Sequence, residues 1–182
     1  MPDVSLWHVA RASGFVSTLL LTATVLLGIL GPMRVGTPSW PRFTLAGLHR
    51  NISLLTLVLL AIHLAAVAID SYVPITWADL VVPFVSAYHP FWLGLGTVSF
   101  DILLALLVTS LLRPRINPRL WRVLHWSAYL CWPLALVHGL GIGTDALSGW
   151  PLGLSVFCTA AVLAGVGWRV IAARKRILAR LS

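Results

Sequence analysis

Glutamate is absent from this chain of 182 residues, and only 10% of its side chains are charged. A soluble domain carries about a quarter charged residues. With 59% hydrophobic residues and a mean hydropathy of +0.92, this chain lacks the polar surface that a water-soluble globular fold requires. The same apolar excess excludes intrinsic disorder, which needs low hydrophobicity and high charge. Cysteine is scarce: Cys131 and Cys158 are the only two, and both stand inside apolar runs. A disulfide framework needs more cysteines, placed in watery loops. Methionine occurs only as Met1 and Met33. Acids number five against 13 Lys and Arg, giving a net charge of +8. Such a balance would suit nucleic acid, but the arginines gather at the ends of apolar runs. That is the pattern of membrane topology, and no nucleic-acid partner is expected.

What the chain has instead is long apolar runs. Crossing a bilayer takes about 20 apolar residues at a rise of about 1.5 Å each. Five runs qualify, over 6–30 (most apolar from Phe15), 45–69, 91–112, 120–142 and 152–173. Pro- and Gly-rich breaks separate them, at Gly31-Pro32, Thr37-Pro38 and Trp40-Pro41, at 72–90, at Arg113-Pro114 and Asn117-Pro118, and at 141–151. Proline lacks the N–H that a helix interior uses, and glycine loosens the backbone. The first run lacks a basic leader and opens with Asp3 and Trp7-His8, so it does not read as a signal peptide. The expected fold is an all-α integral membrane protein, a single domain of five transmembrane helices over 1–182.

Five spans put the termini on opposite sides. Twelve of the 13 basic residues then fall on one side and Arg11 alone on the other, together with Asp3, Asp70, Asp79 and Asp145. The positive-inside rule places the N-terminus outside and the C-terminus in the cytoplasm. Trp40, Trp77, Trp92, Trp121 and Trp150 sit near span ends, as interfacial anchors do. The second external segment, 70–90, is long. Its stretch Ile75 to Val82 is expected to lie on the outer interface as a short amphipathic helix, serving as a lid or as a plain connection. The strong preference for Arg over Lys points to a GC-rich bacterial genome, and the expected location is a bacterial cytoplasmic membrane.

Four of the six histidines fall within spans, where an ionisable side chain marks function by default. His49 and His63 are 14 residues apart on the second span, close to four full turns, so both rings leave one helix face about 21 Å apart. His125 and His138 are 13 residues apart on the fourth span. The two spans run in the same direction, which sets His49 beside His125 in the cytoplasmic half and His63 beside His138 in the outer half. An ideal helix would turn the second ring of the fourth span about 220° from the first. Pro133 lies between them, and a kink with a tightened 3₁₀ stretch is expected to restore a common face.

Zinc wants four ligands in one compact set, which pairs at two depths cannot supply. Copper usually recruits Cys or Met nearby, and neither Met1 nor Met33 is close. Haem needs one imidazole on each face of its iron, and two opposed pairs suit two stacked six-coordinate haems, with the four histidines as iron ligands. With both axial positions filled, electron transfer is the expected chemistry. Buried histidines satisfied by hydrogen bonds alone, or another metal, are the alternatives.

The spacing His49-x13-His63 with His125-x12-His138 on alternate spans resembles the ferric reductase transmembrane domain. That group includes the NADPH oxidases, the iron reductases and the haem-binding membrane subunit of the bacterial methionine sulfoxide reductase system. The resemblance covers about 6–174. It implies two haem b groups: an inner one on His49 and His125 and an outer one on His63 and His138. It also implies electron flow from a cytoplasmic flavin to an external acceptor: ferric iron, a flavin or redox protein, or oxygen. Complete members carry a flavin and NAD(P)H domain after the last span. Here the chain stops at Ser182 with no GxGxxG, so the expected donor is a separate flavoprotein or a membrane quinol. This makes the chain the haem subunit of a two-component oxidoreductase. The competing class is a non-redox assembly or transport module, but transporters more often show broken helices and polar groups converging at mid-membrane.

Secondary candidates complete the reading. Arg11 is either a partner for an outer haem propionate or an arginine reaching to the headgroups. His8 and His89 stand near the outer end. Asp101 lies mid-span, as a proton relay, a partner for a ligand histidine, or a protonated carboxyl bonded to Ser or Thr. The inner basic loop Arg113 to Arg122 is explained by topology alone, with inner propionates or an acidic flavoprotein as further partners. Arg174-Lys175-Arg176 reads as an anchor to lipid headgroups.

Overall fold

The computed structural model describes residues 4–31, 42–71 and 73–181. Its described residues form helices α1 (Val4–Leu30), α2 (Arg42–Ile69), α3 (Pro90–Leu111), α4 (Pro118–Trp126), α5 (Ala128–Ile142) and α6 (Gly149–Leu181), with a 3₁₀ turn at Arg113–Arg115. No strand occurs among them. Four segments are long and apolar enough to cross a membrane: Ser5–Leu30, Phe43–Ile69, Pro90–Leu111 and Gly149–Ala179. The chain is a multi-pass membrane protein. The break expected at Pro32, Pro38 and Pro41, with Asp3, Arg34 and Trp40, lies outside the described residues.

The run expected as one span over 120–142 is two helices, α4 and α5, broken at Ser127. The Ser127 N–H donates to Leu124 O at 3.0 Å and the Leu130 N–H to Ser127 O at 2.9 Å. Both bonds reach back three residues rather than four, which is the 3₁₀ pattern. The Ser127 hydroxyl also donates to Leu124 O at 2.7 Å, and such back-bonding bends helices. Each residue in a tightened stretch advances about 120° instead of about 100°. The overwinding is of the expected kind, but it sits at Ser127, one turn and a half before Pro133.

Two ends differ from the apolar runs. α1 starts at Val4, and α6 continues to Leu181. Helix and membrane end for separate reasons. The stretch Ala172 to Leu181 is rich in Ala, Arg, Lys and Leu, all good helix formers, so the helix outlasts the apolar part. At about 1.5 Å per residue α6 spans about 50 Å, against about 30 Å of hydrocarbon.

α1 is the central post: it packs against α2, α5 and α6, while α3 packs against α5. Leu21, Val25 and Ile29 of α1, Trp132 of α5, and Cys158 and Val162 of α6 form the buried core. Many large apolar residues face outward, among them Leu54, Val58, Phe157 and Leu163. In lipid this needs no cover, because packing rather than water exclusion holds such helices together. Hydroxyls inside the helices bond their own backbone: Thr18 to Gly14 O and Thr22 to Thr18 O. Ser99 reaches across from α3 to Cys131 O on α5 at 3.0 Å.

The stretch 75–82 is a run of turns, not the amphipathic helix expected from its sequence. Pro74 and Pro83 bracket it, and the Asp79 carboxylate accepts from the Thr76 N–H at 2.7 Å and its hydroxyl at 3.0 Å. Such local side-chain bonds compete with the helix ladder. The segment is pinned down by buried Leu80 and by the Thr97 hydroxyl, which donates to Asp79 O at 2.9 Å. Phe84 follows in the left-handed region at φ 67. Its ring lies over Gly94, where a Cβ would meet Phe84 Cδ1 at 2.2 Å. Only glycine admits that approach.

Paired histidines inside the bundle

Each of three imidazoles is seated in the same way. His63 Nδ1 lies 2.6 Å from Ala10 O, His49 Nδ1 3.2 Å from Thr24 O, and His138 Nδ1 2.8 Å from Trp92 O. A carbonyl only accepts, so the proton is assigned to Nδ1 in all three. Nε2 then carries a free lone pair. This is the orientation metal-ligating histidines take when a backbone carbonyl holds the other nitrogen.

Four residues beyond each accepting carbonyl stands a glycine that faces the same ring. Gly14 follows Ala10, Gly28 follows Thr24, and Gly96 follows Trp92. A Cβ would lie 3.2 Å from His63 Cε1 at Gly14, 3.8 Å from His49 Cε1 at Gly28 and 2.6 Å from His138 Nδ1 at Gly96. The glycines open the helix surface so that a ring reaches a carbonyl one turn earlier. The 14-residue interval from His49 to His63 is matched on antiparallel α1 by Thr24 to Ala10 and by Gly28 to Gly14. α3 and α5 interlock reciprocally, with His138 against Gly96 and the Trp92 ring against Gly141.

The structure brings His49 and His125 together, with ring centroids 6.2 Å apart and planes at 68°. Two metal–imidazole bonds of about 2.0 Å, plus roughly 1.1 Å from each nitrogen to its ring centre, sum to about 6 Å. One iron between the rings therefore fits that separation. His63 and His138 line one cavity of about 240 Å³ between α1, α2, α3, α5 and α6. Its wall is mostly apolar, with Phe15, Leu60, Phe100 and Leu154 among the lining residues, as a macrocycle requires. Ile75 and Leu80 line it too, so the 75–82 segment covers part of this site. Among the described residues no three His, Cys, Asp or Glu side chains gather into a metal cluster. His49 lies beside His125, and His63 and His138 share one cavity.

Arg11 lines the same cavity, where it forms an ion pair and hydrogen bond with Asp145. Its guanidinium also lies 5.1 Å from the Trp7 ring centre and 5.3 Å from that of Phe15. The hydrogen bond from Arg11 holds the Asp145 carboxyl below its ordinary pKa, and the attraction of the cation adds to it. A lowered carboxylate pKa stabilises the fold above the ordinary carboxylate range, and that stability is lost as pH falls through the lowered value. Asp145→Asn is therefore expected to melt earlier than the parent at neutral pH, with the difference closing in acid. Thermal midpoints of both proteins in detergent across pH check this; a constant difference at all pH would remove the ion pair as its cause.

The remaining candidates stay apart. His8 and His89 are exposed, His8 edge-on to Trp7 and His89 edge-on to Tyr88. Asp101 is half-buried on α3 and does not line the cavity. The glycine seats and the Arg11–Asp145 pair escaped sequence reasoning. Only the shared 14-residue interval of Gly14–Gly28 and His49–His63 pointed to the seats.

The fold and site define a helical membrane bundle with His49 beside His125 and with His63 and His138 on one cavity. The chain matches the family model described as the ferric reductase like transmembrane component over residues 13–136, more than half its length. It belongs to that family, whose domains generally bind haem. The match takes in His49, His63 and His125 and ends two residues before His138. No curated protein and no solved structure matches the chain.

Proposed function

We propose that the protein carries electrons across a bacterial cytoplasmic membrane through two haem b groups. His49 and His125 hold the inner one, and His63 and His138 the outer one. Electrons enter from a separate flavoprotein or a membrane quinol and leave to an external acceptor: ferric iron, a flavin or redox protein, or oxygen. In this reading α4 and α5 together make a fifth crossing. The N-terminus lies outside, as the grouping of cations around Arg113 to Arg122 and Arg169 to Arg180 supports.

The observation that carries the reading is the Nδ1–carbonyl seat repeated at His49, His63 and His138. A neutral imidazole that donates from Nδ1 leaves Nε2 unprotonated, and an iron ligand requires that lone pair. A haem with both axial positions filled supplies a one-electron centre with no open site for oxygen. The chain's own contribution is to orient four rings. The carbonyls of Ala10, Thr24 and Trp92 fix tautomer and ring plane, and the apolar cavity wall keeps water from the outer site. Arg11, although paired with Asp145, stands at that cavity as a donor for a propionate.

The test is a reduced-minus-oxidised spectrum of the purified protein with haem counted per chain. Two low-spin b-type haems are expected. His49→Ala or His125→Ala should remove one, and His63→Ala or His138→Ala the other. Protein free of haem, made in cells with ample haem precursor, would favour a non-redox membrane module and overturn the proposal.

A further inference from the structure

His125 is seated differently from the other three. Its Nδ1 is buried and has no hydrogen-bond partner. Counted along antiparallel α3 from Trp92, the carbonyl that would serve it is Ala105 or Leu106. The Thr109 hydroxyl already donates to both, at 2.8 and 3.2 Å. Moreover, Thr109 and Ser110 stand four residues on, where the other seats have glycine. The α3 surface therefore offers no glycine opening at this level.

Trp121 takes the place of the missing seat. Its ring stacks on His125 with centroids 4.8 Å apart and planes at 18°. On the indole, the Arg113 guanidinium lies 4.4 Å from the ring centre. Both aromatic contacts have favourable geometry: near-parallel rings within the usual 4.5–7 Å and a cation within about 6 Å. The indole is one turn before His125 on α4, and Arg113 comes from the 3₁₀ turn ahead of α4. All three belong to one short stretch of chain at the cytoplasmic end. Among the described residues Arg113 has no carboxylate partner, whereas Arg11 at the outer cavity is neutralised by Asp145.

Resting on the reading of His49 and His125 as one iron-ligand pair, we infer that Trp121 is the positioning residue for His125. By the same geometry Arg113 lends the inner site a positive charge that the outer site does not have. Stacking sets the plane of the His125 ring, the task a backbone carbonyl performs at the other three. A fixed cation stabilises a metal centre more after it gains an electron than before, so it raises the potential of the inner haem relative to the outer. Electrons would then dwell on the cytoplasmic side unless the outer acceptor draws them on.

The experiment uses the haem-loaded full chain, with electron paramagnetic resonance of the ferric haems and a redox titration. The inner signal is the one that His49→Ala abolishes. Trp121→Ala is expected to shift the inner signal and leave the outer one unchanged. Trp121→Phe, which keeps a stacking ring and loses the N–H, should retain the parental signal. Arg113→Gln should leave both signals in place and lower the midpoint of the inner haem alone. An unshifted inner signal in Trp121→Ala, or an inner midpoint unmoved in Arg113→Gln, overturns the inference while leaving the haem assignment intact. If Trp121→Ala does not fold, Trp121→Leu, which keeps an apolar side chain without a stacking ring, takes its place, and an unshifted inner signal in it overturns the inference. A parent without haem overturns the underlying reading instead, and this inference with it.

Discussion

If His63 and His138 hold a haem as proposed, Gly96→Ala is expected to lose that haem while keeping the one assigned to His49 and His125. A Cβ at this position would lie 2.6 Å from His138 Nδ1, 2.7 Å from Cε1 and 2.9 Å from Cγ. The atom belongs to the backbone frame of α3, so the ring has to move. Moving it breaks the 2.8 Å bond to Trp92 O that sets its tautomer. Overpacking of this kind costs about 1–3 kcal/mol, and the lost bond about 1 kcal/mol more. The neighbouring seats make a graded control. At Gly14 the new methyl would lie 3.2 Å from His63 Cε1, so Gly14→Ala should weaken the same haem without abolishing it. At Gly28 the nearest atoms, His49 Cε1 and Tyr129 Oη, are 3.8 Å away, an ordinary contact. Gly28→Ala should keep both haems and gain about 0.5–1 kcal/mol of helix stability, because alanine loses less backbone freedom on folding. Haem per chain and thermal midpoints of the three variants give the order. Full outer-haem binding by Gly96→Ala would mean that the ring has room the static geometry denies it.

Trp132→Ala is expected to cause the largest loss of stability in the bundle, about 3 kcal/mol. The Trp132 ring is buried with Leu21, Val25, Ile29, Cys158 and Val162, and it joins three helices. Its Nε1 donates to the Thr22 hydroxyl at 2.8 Å, and that hydroxyl donates in turn to Thr18 O. In water, truncating a buried tryptophan costs about 3–5 kcal/mol. Lipid removes much of the transfer contribution, because its tails are as apolar as the core. The lost dispersion contacts remain, which sets the figure at the low end. Trp132→Phe isolates the hydrogen bond, and about 0.6–1.7 kcal/mol is expected from interhelical bonds in membranes. Reversible unfolding in mixed detergent measures both. Equal losses for the two variants would show that the bond, and not the ring, holds α1 to α5.

The membrane character of the chain was legible in its composition, since 10% charge leaves no soluble alternative. Helix positions followed from apolar runs bounded by proline. They fell short where helix and apolar run part company, at the basic end of α6. A run of apolarity reports where lipid is, whereas backbone hydrogen bonding decides where a helix stops. The break at Ser127 has the same origin. Periodicity showed that His125 and His138 needed extra twist, but the three-residue bonds that supply it depend on one hydroxyl and its local carbonyl. The turns at 75–82 likewise follow from one carboxylate, Asp79, that bonds back to Thr76.

By itself the sequence determined that this is a multi-pass helical membrane protein and that its histidines come at intervals suited to pairs. Both are properties of order along one chain, which the solvent and the helix repeat impose. The tertiary structure decided the rest. It put Ala10, Thr24 and Trp92 carbonyls against three imidazoles, left the fourth to Trp121, and closed Arg11 onto Asp145. Those partners are 25 to 134 residues apart, except Trp121. Register between helices is settled by how side chains and glycine notches interlock, and no single helix carries that information.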